Sequence, residues 1–174
     1  FAIMMVSQGD ADGMVTGSSM NYGDAVRPIL QTIGIAKDAV PCGLNAILLE
    51  DRIVLLADTT VNLDPSAEQL ATIALQVARV AEYFKMEPNI AMLSYSNFSG
   101  QEGTPAKMRK AMELVKAKRP DLKVDGDMQA DTALSSDIKS RIFPFCHLEE
   151  SANILIFPNL ESSNIGYKLL QQLG

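Results

Sequence analysis

Along this chain, short continuous runs of apolar residues alternate with segments in which an apolar residue recurs every three or four positions. The first pattern is typical of buried strands and the second of helices that pack on one face. The strand-like runs span residues 13–17, 45–49, 53–56, 90–93, 122–124 and 153–157, and the helix-like runs span residues 1–8, 24–32, 64–84, 104–119, 136–142 and 163–173. Glu50-Asp51 separates two strand-like runs and predicts a hairpin. Such alternation predicts an α/β fold with a mostly parallel sheet covered by helices on both faces.

The helix over residues 64–84 has the clearest start signals. Asp64 is expected to cap it, Pro65 suits its first position, and Glu68 places a negative charge near its positive end. By the same chemistry, Thr104-Pro105 predicts the start of the next helix.

Polar or small residues follow four of the predicted strands. The clusters are TGSS at 16–19, SYSNFSG at 94–100, DGDMQAD at 125–131 and PNLESSN at 158–164. Parallel strands end at one edge of a sheet, where hydroxyls, amides and helix-start N–H groups suit a phosphorylated or acylated ligand. The same residue types also cap helices and form turns, which is the commoner role for any single cluster.

The most distinctive cluster contains three carboxylates, Asp125, Asp127 and Asp131, together with Gln129. It suits a binding rim, a Mg²⁺ site, or a junction between subunits or domains, and the residues alone leave these alternatives open. His147, the single histidine, lacks an orienting acid at useful spacing and is predicted to be a loop or surface residue. No Walker A, GxGxxG or HExxH motif is present, and no metal site is predicted.

Composition narrows the class of protein. A net charge of −6 and a pI near 4.8 argue against nucleic-acid binding. Cys42 and Cys146 lack CxxC spacing and suit free thiols in the cytoplasm, and no apolar run approaches the length of a membrane span. We therefore expect a soluble cytoplasmic domain over residues 1–174. Both ends lie in apolar or amphipathic segments, so we expect it to be part of a longer polypeptide.

Several longer segments resemble a known family. They are ADGMVTGSS (11–19), LADTTVNLDPSAEQLATIA (56–74), EPNIAMLSYSNF (87–98), VDGDMQADTAL (124–134) and ANILIFPNLESSNIGYKLL (152–170), and together they resemble the phosphate acetyl/butyryltransferases over nearly the whole chain. The segments GLNAILLEDRIVLLADTTVN, TPAKMRKAMELV and GDMQAD resemble in particular the C-terminal phosphotransacetylase-like domain of hybrid NADP-dependent malic enzymes.

This resemblance implies a three-layer α/β/α fold of the isocitrate/isopropylmalate dehydrogenase-like type, with a crevice between two subdomains. It also implies acetyl-CoA or CoA as ligand and a homo-oligomer built from dimers. NADP and a divalent metal would belong only to a malic-enzyme part outside this chain.

The resemblance also assigns candidate residues. The ligand-binding candidates are Thr16, Ser18, Ser94, Ser96, Asn97, Asn159, Asn164 and Lys168, with Ser96, Asn97 and Asn164 expected nearest the ligand. Gly17 and Tyr167 fall in the same motifs, and Asp127, Gln129 and Asp131 are assigned a structural or interface role. The family's active-site motif would lie beyond Gly174, so no catalytic residue is assigned.

Two functions follow from the resemblance. The first is a regulatory, oligomerising acetyl-CoA-binding module of a malic enzyme whose catalytic part lies elsewhere, and the second is a genuine phosphate acetyltransferase. Transferases usually carry Glu at Asp127, a bulky apolar residue at Ala130 and Gly at Ser163. These departures favour the regulatory module.

Overall fold

A computed structural model describes residues 1–173, which form two compact units, one spanning Phe1–Ala39 and one beginning at Val40. The first unit contains α1 (Ala2–Gln8) and α2 (Tyr22–Thr32). Gly9 ends α1 with a φ of 80°, a left-handed conformation that glycine adopts at little cost. The strand predicted over residues 13–17 is wrong. This segment is irregular, its backbone does not pair into the sheet, and the Val15 side chain is exposed.

Over the described residues 40–173, the second unit contains five strands and five helices. They are β1 (Leu44–Leu48), β2 (Ile53–Ala57), α3 (Ala67–Tyr83), β3 (Asn89–Leu93), α4 (Gly103–Lys118), β4 (Lys123–Met128), α5 (Ala130–Leu134), α6 (Ser136–Ile142), β5 (Ile154–Ile156) and α7 (Leu160–Leu173). The strand order is β1-β2-β5-β3-β4. β1 and β2 pair antiparallel, and the other neighbouring strands pair parallel. The predicted hairpin and the mostly parallel sheet are therefore confirmed.

The sheet buries both of its faces. Ile90, Met92 and Ile154 pack against α3 and α4, in one core with Leu70, Ile73, Val77 and Met108. Ala91, Leu93 and Leu155 belong to a second core, which includes Met128, Ala133 and Leu148. Since neighbouring residues of a strand point to opposite faces, the two cores lie on opposite sides of the sheet, in three layers.

Both predicted helix starts need correction. α3 begins at Ala67 and is capped by Ser66, whose Oγ accepts the Gln69 N–H at 3.3 Å while Gln69 Oε1 accepts the Ser66 N–H at 2.8 Å. Asp64 instead pairs with Lys107. α4 begins at Gly103, one residue before the predicted Thr104-Pro105 start.

The strand predicted over residues 122–124 is longer than expected. β4 runs from Lys123 to Met128, so Asp125 and Asp127 lie inside the strand and not beyond its end. The short helix α5 that follows was not predicted. Among residues 1–173, the helices are all too short or too polar to cross a membrane.

Candidate functional site

The carboxyl ends of β3, β4 and β5 lie at one edge of the sheet because these strands are parallel. A cavity of about 340 Å³ opens there, lined by Leu93, Ser94, Tyr95, Thr104, Ala130, Phe157, Pro158, Asn159 and Ser162. A larger cavity of about 640 Å³ shares Thr104 and Asn159 with it and includes Lys107, Asp64 and Glu161. This edge is the candidate ligand site, and two of the predicted ligand residues, Ser94 and Asn159, line it.

The loop of residues 94–102, which joins β3 to α4, is held by its own serines. Ser94 Oγ accepts the Ser96 N–H at 2.8 Å. Ser96 Oγ accepts the Gly100 N–H at 2.9 Å and lies 3.1 Å from Ser99 Oγ. Ser96 is only 9% exposed, so its hydroxyl is committed to the loop.

Asn97 joins this loop to the end of β4. Its Oδ1 accepts the Gln129 N–H at 2.8 Å, and its Nδ2 donates to Gln129 Oε1 at 2.9 Å. Gln129 Nε2 in turn donates to the Tyr95 carbonyl at 2.7 Å. Ser96 and Asn97 were predicted nearest the ligand, but in this structure their polar groups serve the loop and they are not among the residues that line the cavity.

Asp127 ties the same loop to α4. Its side chain is fully buried, its Oδ1 lies 2.8 Å from Arg109 Nη2, and its Oδ2 lies 3.3 Å from Ser94 Oγ. Its carbonyl accepts the Phe98 N–H at 2.8 Å. Arg109 also donates to the Gly100 carbonyl. This arrangement favours the structural role predicted for Asp127.

The other two aspartates have different partners. Buried Asp125 accepts the His147 N–H at 2.6 Å through Oδ2, whereas exposed Asp131 accepts the Thr132 N–H at 2.9 Å. Gly126, between the aspartates, has a φ of 139°, and a Cβ there would lie 2.5 Å from the Met92 carbonyl oxygen. Within the described residues, no group of three or more His, Cys, Asp or Glu side chains is arranged to hold a metal ion.

The predicted residues after β5 have mixed surroundings. Asn159 Oδ1 accepts the Ser162 N–H at 2.9 Å at the start of α7, so Asn159 both caps a helix and lines the cavities. Asn164 Nδ2 donates to the Thr59 carbonyl at 3.4 Å. Lys168 is exposed, with Nζ 5.2 Å from the centre of the Tyr167 ring.

Thr16 and Ser18 belong to the first unit and are exposed in its irregular segment between α1 and α2. Gly17 lies between them with a φ of 108°.

Sequence reasoning missed Asp58, which organises the end of β2. This buried carboxylate accepts the N–H groups of Gly43, Thr60, Val61 and Asn62, at 2.7 to 3.1 Å, and the Asn62 side-chain amide. Its position directly after the apolar run IVLLA was the available signal, because an acid at a strand end often holds the following turn. Thr104 and Arg109 were missed as site residues as well, since Thr104 indicated only a helix start and Arg109 does not stand out in a helical sequence.

The three-layer α/β/α domain, with cavities at the carboxyl edge of its sheet, has the fold of solved phosphotransacetylases. The phosphate acetyl/butaryl transferase family model matches residues 1–174, and the chain belongs to that family. The predicted family is therefore confirmed.

Relatives of two kinds match the chain. A phosphotransacetylase structure from Streptococcus pyogenes superimposes with a TM-score of 0.90 and 38% identity, covering 99% of this chain and 54% of that one. A phosphate acetyltransferase from Buchnera aphidicola is 39% identical over 98% of the chain, and an NADP-dependent malic enzyme from Rhizobium meliloti is 39% identical over all of it. The chain spans only 24% and 23% of the lengths of these last two proteins.

Proposed function

We propose that this chain is the acetyl-CoA-binding regulatory domain of an NADP-dependent malic enzyme. The observation that carries the acetyl-CoA-binding part of this proposal is the 340 Å³ cavity at the carboxyl edge of the sheet. Ser94, Thr104 and Asn159 offer neutral hydroxyl and amide groups there, whereas Leu93, Phe157 and Pro158 are apolar. Apolar walls with a few neutral polar groups suit an acyl thioester.

The neighbouring cavity would take one phosphate of CoA, at Lys107. It is larger, at about 640 Å³, and Lys107 lies on its wall beside the carboxylates of Asp64 and Glu161. Lys107 Nζ is also 2.5 Å from exposed Asp64 and 2.9 Å from the Pro158 carbonyl, so it is held in place between the two cavities. A phosphate could replace the exposed Asp64 as its partner, because surface ion pairs of this kind are weak.

Two departures from the transferase pattern favour a regulatory role, and one of them lies in the smaller cavity. Ala130 lines it where transferases usually carry a bulky residue, and Ser163, in place of the usual Gly, is buried and donates to the Leu160 carbonyl at 3.0 Å.

The alternative is a genuine phosphate acetyltransferase. The similarity to the Streptococcus pyogenes phosphotransacetylase, which covers 99% of the chain, favours it. The two functions differ in what acetyl-CoA does: it is an effector of malate oxidation in one and a substrate in the other.

Three measurements on the intact protein test the proposal. We expect acetyl-CoA to bind in a calorimetric titration, to change the rate of malate oxidation, and to give no acetyl phosphate with inorganic phosphate at ordinary enzymatic rates. Binding without any change in malate oxidation would contradict the regulatory role. Rapid formation of acetyl phosphate would establish the transferase instead.

A matched pair of variants on α4 tests the location of the site. Thr104 lies on the wall of both cavities, so Thr104→Phe would place a ring in the ligand's space and should weaken acetyl-CoA binding at least about tenfold. Glu113→Phe places the same side chain at an exposed position of the same helix and should leave the affinity unchanged. Equal affinities for the two variants would show that acetyl-CoA binds elsewhere.

A further inference from the structure

Two polar residues lie on the walls of both cavities at the carboxyl edge of the sheet. They are Thr104, in the first turn of α4, and Asn159, immediately before α7. Asn159 Oδ1 accepts the Ser162 N–H, whereas Asn159 Nδ2 and the Thr104 hydroxyl have no hydrogen-bond partner among the described residues. These donors suit the carbonyl oxygen of a thioester that extends into both cavities.

The apolar residues of the smaller cavity differ in how firmly they are fixed. Leu93 and Pro158 are buried, and half-buried Phe157 packs against the second core of the sheet. Ala130, at the start of α5, is exposed and has the smallest side chain of the four. The width of the cavity therefore depends on position 130, where atoms can be added without removing a core contact.

Hydrogen bonds on both sides of Ala130 hold the backbone of α5. The Ala133 N–H donates to the Gln129 carbonyl at 2.9 Å, and the Ala133 carbonyl accepts the Ala152 N–H at 2.9 Å. The Gln129 side chain is bound in turn to Asn97. The wall at position 130 therefore has little freedom to move away from a ligand.

The smaller cavity is large for an acetyl group. At roughly the 30 Å³ that a water molecule takes up in the liquid, the three non-hydrogen atoms of an acetyl group fill on the order of 90 Å³. The cavity has about 340 Å³. An acyl chain longer than acetyl would bring more apolar surface into contact with its walls.

On the basis of the thioester binding proposed above, we propose that the smaller cavity selects CoA thioesters by acyl length, favours chains longer than acetyl, and owes this preference to Ala130. Thr104 and Asn159 bind the thioester carbonyl, and the CoA part extends towards Lys107. The acyl chain lies in the smaller cavity, where each methylene group removed from water raises the affinity by up to about fourfold.

The first test is a calorimetric titration of the intact protein with acetyl-CoA, propionyl-CoA and butyryl-CoA. We expect the dissociation constant to fall with each added methylene group, by about tenfold in total from acetyl-CoA to butyryl-CoA. Acetyl-CoA that binds as tightly as butyryl-CoA, or more tightly, would overturn the selection by acyl length and leave thioester binding itself in place. Failure of all three thioesters to bind would refute the proposed thioester site as well.

Ala130→Leu tests whether position 130 sets the preference. The larger side chain would take the space of the longer acyl chain, so the affinity for butyryl-CoA should fall at least about tenfold while that for acetyl-CoA changes by less than about threefold. Ala130→Val adds fewer atoms and should shift the same ratio in the same direction by less. Because two ligands are compared on one variant, a general loss of folded protein leaves the ratio unchanged.

Ala117→Leu is the matched control. Ala117 is an exposed residue of α4 that lines neither edge cavity, so the same substitution there should leave the order of the affinities unchanged. A wild-type preference for butyryl-CoA that persists in both Ala130→Leu and Ala130→Val would show that another residue sets the acyl length and would overturn the role of Ala130.

Discussion

At the scale of single residues, the Asp127–Arg109 pair holds the loop of residues 94–102 beside the candidate site. Asp127 is fully buried and Arg109 is one-third exposed. Removing one partner of a buried pair leaves the other charge without compensation. We therefore expect Asp127→Ala to lower the free energy of unfolding by about 2–4 kcal/mol, less than a fully buried pair because Arg109 keeps some water. Urea unfolding of the intact protein measures this change.

Asp131→Ala is the matched control for that prediction. Asp131 belongs to the same acidic motif but is exposed and accepts only a neighbouring amide, so its loss should change stability by at most about 0.5 kcal/mol. In Asp127→Ala, the free energy of acetyl-CoA binding should change by less than the free energy of unfolding. Unchanged stability with lost acetyl-CoA binding would mean that Asp127 contacts the ligand rather than supporting the loop.

The candidate site shows how far single residues could be predicted. Sequence reasoning selected Ser94 and Asn159, which line the cavity, because hydroxyls and amides follow buried strands. The same rule selected Ser96 and Asn97, whose hydrogen bonds remain within the loop and with Gln129. Residue type cannot separate these roles, because both need the same donors and acceptors at the same position. Thr104 was missed because it reaches the cavity from the start of a helix.

At the scale of elements, the start of α3 depends on the reciprocal hydrogen bonds of Ser66 and Gln69. Ser66→Ala removes the acceptor for the Gln69 N–H and should lower the free energy of unfolding by about 1 kcal/mol. Asp64→Ala, at the position that the sequence favoured as the cap, removes only an ion pair whose carboxylate is exposed and should cost at most about 0.5 kcal/mol. Thermal or urea unfolding distinguishes them, and a larger loss for Asp64→Ala would restore the cap predicted from the sequence.

β4 shows why some element boundaries escaped prediction. Polar residues usually mark the end of a buried strand, so Asp125 and Asp127 were placed beyond it. In the structure both carboxylates stay in the strand because the His147 N–H and the Arg109 side chain satisfy them. These partners are 22 and 18 residues away in sequence, and no local pattern identifies them. The parallel sheet was predictable because continuous apolar runs and segments with helical spacing alternate along the chain, and this order is typical of parallel sheets.

At the scale of the whole molecule, the two compact units differ in the core that each can form. In the unit of residues 1–39, Ala25 is the only buried residue among those described, and α1 and α2 have 7 and 11 residues. In the unit that begins at Val40, two apolar cores cover both faces of the sheet. Short helices are marginal in water without such packing.

We therefore expect the fragment of residues 40–174 to fold by itself and to unfold cooperatively. The fragment of residues 1–39 should show little helix alone, because chains of about 40 residues rarely bury enough apolar surface to fold without disulfides or metals. Far-UV circular dichroism with thermal unfolding of both fragments measures this difference. A sigmoidal transition for residues 1–39, or a gradual and non-cooperative one for residues 40–174, would contradict the assignment of the stable core to the second unit. Retained cooperativity would also allow acetyl-CoA binding at the carboxyl edge of the sheet to be measured without the first unit.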